Sequence, residues 1–227
     1  MPLPIEDYAL IGDCETAALV GKDGSIDWLC LPRFDSGACF AALLGTPEHG
    51  RWLLAPAGEV RAVRRRYRHN TLVLETHFET DDGAVTLIDC MPVRSGPPVL
   101  VRVVRGERGR VPMRMQLVIR FDYGSTVPWV RRTPEGDLRA VAGPDALHLR
   151  TDVELRGENL TTAAEFSVAD GEQVPFTLTW FPSHVKPTDD VTRGRRSGRR
   201  SAGGRSGPAA ARRRGRGARS SSARSSP

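Results

Sequence analysis

Apolar and polar residues alternate along most of the first 180 positions, the period of a strand with one dry and one wet face. The clearest cases are 71–78 (TLVLETHF) and 84–89 (AVTLID), with Asp82-Gly83 between them to make a tight turn. Their apolar alternants, 72–78 and 84–88, are expected to be buried. An earlier hairpin is predicted over 17–20 and 25–30, closed by Lys22-Asp23-Gly24. Further strands are expected at 99–105, 113–121, 138–142, 146–153, 161–168 and 174–181, each bounded by Gly, Pro or Asp. Only 38–44 reads as helical, and it is short. Strands at this spacing, with almost no helical period, predict an all-β fold: an antiparallel β-sandwich.

Charge divides the chain in two. The formal net charge of +6 conceals a tail, 191–227, that carries 12 Arg and no Asp or Glu. All 27 acidic residues and 21 of the 33 basic ones precede it, so residues 1–190 are net −6. That sign excludes a basic nucleic-acid-binding domain for the body. Arg64-Arg65-Arg66-Tyr67-Arg68 reads instead as an edge or solvent-facing strand whose charges deter pairing. The organisation expected is a domain over 1–190 followed by a disordered Arg/Ser/Gly/Ala tail over 191–227, since nothing apolar offsets its ordering entropy. Its RG and RS dipeptides could hold a polyanion through counterion release. The same composition arises from reading a GC-rich gene out of frame, and the abrupt change after Pro187 favours that frame-shift origin.

No signal peptide and no apolar run long enough to cross a bilayer is visible, and Cys14, Cys30, Cys39 and Cys90 lack paired spacing. A cytoplasmic protein with free thiols is expected. Neither the cysteines nor the five His residues form a metal-ligand pattern, so no metal and no cofactor is implied. The chemically richest stretch is 5–45, where Asp13, Asp27, Arg33 and Asp35 accompany Trp28 and Phe34. Aromatic faces beside carboxylates and Arg suit sugar binding, the ring covering C–H groups and the charged groups holding hydroxyls. On spacing alone, Trp28 reads as a core residue and Asp27 as solvent-facing.

This stretch resembles the N-terminal domain of bacterial trehalase-like and glucoamylase-like proteins of glycoside hydrolase family 15. The matching pieces are DYALIGD (7–13), TAALV (16–20), DGSIDWLC (23–30), PRFDS (32–36) and FAALLG (40–45). Tyr67-Arg68, NTLVLET (70–76), DCMP (89–92) and Trp180-Phe181 continue it to about residue 187. The resemblance implies a β-sandwich of the super-sandwich type, followed in such proteins by an (α/α)6 barrel that supplies both catalytic carboxylates of an inverting hydrolysis. No helical repeat follows 187, so no catalytic residue is assigned in this chain, which looks like an N-terminal fragment predicted inactive alone.

Asp27, Trp28, Arg33, Phe34 and Asp35 are the site residues expected, forming the wall of the sugar site or the interface with the barrel. A glucoside substrate would then be met only through that barrel. The alternative is a stand-alone binding protein whose Arg-rich tail engages nucleic acid or another polyanion non-specifically.

Overall fold

A computed structural model describes residues 2–185 as an antiparallel β-sandwich. The Arg-rich segment 191–227, for which disorder is expected, lies outside the described residues. The first strands are β1 (Tyr8–Gly12), β2 (Ala17–Gly21), β3 (Ser25–Cys30), β4 (Ala38–Phe40) and β5 (Arg51–Pro56). Then come β6 (Val60–Tyr67), β7 (Leu74–Thr80), β8 (Gly83–Cys90) and a 20-residue strand β9 (Val99–Val118). The chain continues through β10 (Trp129–Arg132), β11 (Leu138–Ala142), β12 (Asp145–Thr151), β13 (Arg156–Glu158), β14 (Thr161–Ala169) and β15 (Gln173–Pro182).

Both predicted hairpins form. In β2–β3, Leu19 faces Trp28, and Val20 then faces Ile26, so Asp27 is the extra residue of a bulge. In β7–β8, Leu74 faces Asp89 and Thr80 faces Gly83. Residues 71–73 lie in the preceding turn rather than in β7, which leaves Leu72 48% exposed while Leu74, Phe78, Val85 and Leu87 are buried. The helix expected over 38–44 is corrected to β4 plus a three-residue 3-10 turn, Ala42–Leu44. Cross-strand pairs Leu29–Phe40 and Cys30–Ala38 hold β4 extended against β3, which outweighs local helix propensity.

The expected turn between 99–105 and 113–121 is also corrected, because β9 runs through it. Its first part pairs with β8 and β15, and its second with β5 and β14. One layer is therefore β1-β2-β3-β5-β9-β14-β13, and the other is β6-β7-β8-β9-β15-β12-β11-β10. Gly106 and Gly109 allow the crossing. A Cβ at Gly106 would run into the Ala169 carbonyl; at Gly109, where φ is +71°, it would meet the Asp82 carbonyl.

One core receives both layers, with Ile11, Ile26, Trp52 and Met115 from the first and Phe78, Leu87, Leu100 and Phe176 from the second. Full burial of each such side chain contributes about 1.5–3 kcal/mol. A charged pair sits at core phase among them. Arg102 alternates with Leu100 and Val104, is fully buried, and donates to Asp89 across the strand pair at 2.8 Å. Its remaining N–H groups donate to the carbonyls of Trp52 and Gly24, both at 2.7 Å, and its guanidinium lies 5.2 Å from the Trp52 ring centre. A side chain of the second layer thus ties down backbone of the first. The Arg-rich run 64–68 belongs largely to β6, which among the described residues is an edge strand paired only with β7, as the charge pattern predicted. Arg66 and Arg68 clasp Glu75 at 2.8 Å.

Candidate functional site

The loop after β3 departs from the sheet as a braced, exposed projection. Leu31 is buried and its peptide bond to Pro32 is cis, after which the chain turns on Arg33–Ser36 with Ser36 N donating to the Arg33 carbonyl. The Arg33 backbone N–H donates in return to Ser36 Oγ at 3.2 Å. Phe34 N donates to the Glu15 carbonyl at 3.0 Å, anchoring the tip to the β1–β2 connection. Phe34 is 76% exposed at that tip. Arg33 and Asp35 flank it and pair with each other at 2.9 Å, which holds the Asp35 carboxyl below the usual carboxylate range.

Arg94 is the brace beneath this loop. It donates twice to Asp13 Oδ2, at 2.8 and 3.0 Å, once to Glu15 Oε2 at 2.9 Å, and once to the Pro32 carbonyl at 2.6 Å. Asp13 is buried and also accepts the backbone N–H groups of Glu15 and Thr16. Burial works against its charge, yet Arg94 and the two N–H groups prevail and hold its carboxyl below the ordinary value. Val93, next to Arg94, is itself 76% exposed.

Trp28 stands on the other side of the loop. It is half-buried against Cys30, Ala38 and Ala41, and its ring lies 6.0 Å from that of Tyr123. Tyr123 is 48% exposed, and its hydroxyl donates to the Ser36 carbonyl at 3.5 Å. Asp122 and Tyr123 both adopt left-handed backbone, at φ +50° and +57°, an uncommon conformation for an aromatic residue.

Of the five residues expected from the sequence, Arg33, Phe34 and Asp35 come together on the loop, and Trp28 borders it through Tyr123 and Ser36. Asp27 does not join them. It is buried rather than solvent-facing, because the bulge turns it inward, where Tyr8 Oη donates to its Oδ2 at 2.7 Å. Burial and this carboxylate together raise the Tyr8 hydroxyl well above its usual pKa. Residues not anticipated are Arg94, Glu15 and Tyr123. Asp13 lay within the quoted motif, whereas Arg94 is 81 positions away from it, with no local signal linking the two. Among the described residues, no group of three or more His, Cys, Asp or Glu side chains is gathered as for a metal. The loop offers an aromatic tip, a charge pair and a base held by hydrogen bonds.

The family model described as Trehalase-like, N-terminal, matches residues 1–188. The trehalase of Mycolicibacterium smegmatis is 31% identical over 203 residues, which cover 78% of this chain and 30% of that protein. The Mycobacterium tuberculosis trehalase gives the same identity and coverage. Trehalase 2 of Sulfolobus acidocaldarius is 34% identical over 118 residues, covering 52% of this chain and 19% of its own length. The chain therefore spans less than a third of the length of the curated relatives it matches.

Proposed function

The chain belongs to the trehalase-like N-terminal family, and from that premise we propose that it serves as the accessory domain of a cytoplasmic α-glucoside hydrolase of glycoside hydrolase family 15. Bond cleavage in this reading falls to an (α/α)6 domain, whose acid and base would work at an inverting separation of roughly 6.5–9.5 Å. The accessory domain contributes surface. Arg33, Phe34 and Asp35 form the contact with that domain or the wall of its sugar site, and Trp28 and Tyr123 buttress the loop from behind. The observation that carries this is the tip itself, an exposed Phe held on a base that Arg94 fastens with four hydrogen bonds to three acceptors. Such fastening minimises the ordering cost of docking a loop.

Two measurements test the reading. The purified chain is expected to release no glucose from trehalose, maltose or starch. Exchanging 1–188 for the matching part of the Mycolicibacterium smegmatis trehalase is expected to keep that enzyme active, while Phe34→Ser with Arg33→Ala in the exchange lowers kcat/KM about tenfold at unchanged melting temperature. Turnover by the chain alone, abolished by changing one of its own carboxylates, would overturn the proposal. So would full activity of the doubly substituted exchange.

A further inference from the structure

A concave surface lies between the free edges of the two layers. Strand β10 closes one layer and β13 the other, and between them runs a groove of about 550 Å³ that none of residues 27–36 lines. That volume falls in the range of small-molecule sites, roughly 300–1,000 Å³. Its walls are of two kinds. Trp129 is 88% exposed and Leu160 72% exposed, giving an apolar rim, while Arg120, Glu158, Asn159 and Thr161 supply polar groups.

Two features set the groove apart from an ordinary sheet edge. Arg120 uses Nη1 for the carbonyls of Ile119 and Leu160, at 2.8 and 3.2 Å, and makes no ion pair among the described residues. Its other N–H groups have no acceptor among the described residues. Burial also makes its charge harder to hold than usual. The second feature is the β13–β14 turn, in which Asn159 and Leu160 both take left-handed backbone, φ +47° and +60°. Such a turn favours Asn and Gly, and the leucine there is strained. Leu160 thus holds an exposed apolar side chain at the groove in a backbone conformation that costs energy, as residues at ligand sites often do.

Apolar rim and hydrogen-bonding wall suit an amphipathic ligand. A pyranose presents C–H faces to an indole and hydroxyls to Arg, Glu, Asn and Thr, whereas a polyanion would meet a body of net −6 and the Glu158 carboxylate. We propose that the groove between β10 and β13 binds a short neutral saccharide, with Trp129 as its platform and Arg120 as its principal donor. The site goes beyond the accessory-domain reading; only the choice of α-glucosides as first probes rests on it.

The test titrates the full chain by calorimetry with trehalose, maltose, maltotriose, cellobiose and lactose. Weak saturable binding of at least one is expected. Trp129→Ala and Arg120→Gln should each weaken it about tenfold, and circular dichroism melts should show the variants folded, since Trp129 lies outside the core. Leu160→Gly supplies the sharper arm, with binding weakened while the melting temperature holds or rises as the turn relaxes. Binding of cellobiose or lactose alone, still dependent on Trp129, supports the groove and counts against the α-glucoside reading. Absence of binding to all five sugars overturns the proposal, as does binding indifferent to Trp129→Ala. Self-association that Trp129→Ala abolishes, without any sugar effect, overturns it in favour of a protein-docking face.

Discussion

At the scale of single residues, two arginines do different work in similar company. Arg102 is fully buried and has its charge met by Asp89 and two carbonyls, so its removal strands a carboxylate in the core. Arg102→Met is expected to cost about 3–5 kcal/mol in denaturant unfolding, and adding Asp89→Leu should recover part of that loss. Arg94 acts nearer the surface, through Asp13. That carboxyl is held below its unfolded value of 3.8, so its contribution is complete above that pH and fades as pH falls through the lowered folded value. Melting curves should therefore show the native protein more stable than Asp13→Asn by a constant margin above about pH 5, with the margin closing as the pH falls through 3.8 and below. A margin that closed on raising the pH would contradict the assignment.

Among elements, β9 is the one on which the architecture turns. A 20-residue strand serves both layers because Gly106 and Gly109 let the backbone pass close to neighbouring carbonyls and bend. Gly106→Ala and Gly109→Ala are each expected to destabilise by on the order of 3 kcal/mol or more, measured by thermal or denaturant unfolding. Gly157→Ala on edge strand β13, where an added Cβ meets nothing within 4 Å, should stay within about 0.5 kcal/mol. The contrast matters more than either value, since it separates glycine required by packing from glycine merely present.

At the scale of the whole molecule, two exposed surfaces among the described residues carry the proposals, the Phe34 loop and the groove at Trp129. They are built from different strands and make different demands. The loop is stiff and presents one aromatic tip, which suits a neighbouring protein surface. The groove is lined mainly by apolar groups with several polar ones among them, which suits a small amphipathic ligand. The relatives are about three times longer than the matched region, and in the proposed reading it is their additional part that the first surface would meet. The Phe34→Ser, Arg33→Ala exchange and the sugar titration interrogate these surfaces separately.

Period-two alternation, Asp-Gly turns and the ordered motifs of 7–45 were enough to establish an all-β fold, two hairpins, an acidic body, a charged edge strand and a family. These are properties of neighbours in sequence, where side-chain phase and turn chemistry act over a few residues. Contacts far apart in the chain decided the rest. Whether 106–110 turned back or ran on depended on carbonyls at 82 and 169, and whether 38–44 coiled or extended depended on pairing with β3. Arg102 and Asp89 occupied apolar phases in their strands, a hint of a buried pair, yet their carbonyl partners come from 24 and 52. Asp27 went inward because a bulge inserts one residue, a shift that reverses which face a side chain takes. Arg94 reached Asp13 across 81 positions. Alternation says which residues share a face; only the packing of one layer on the other says what that face meets.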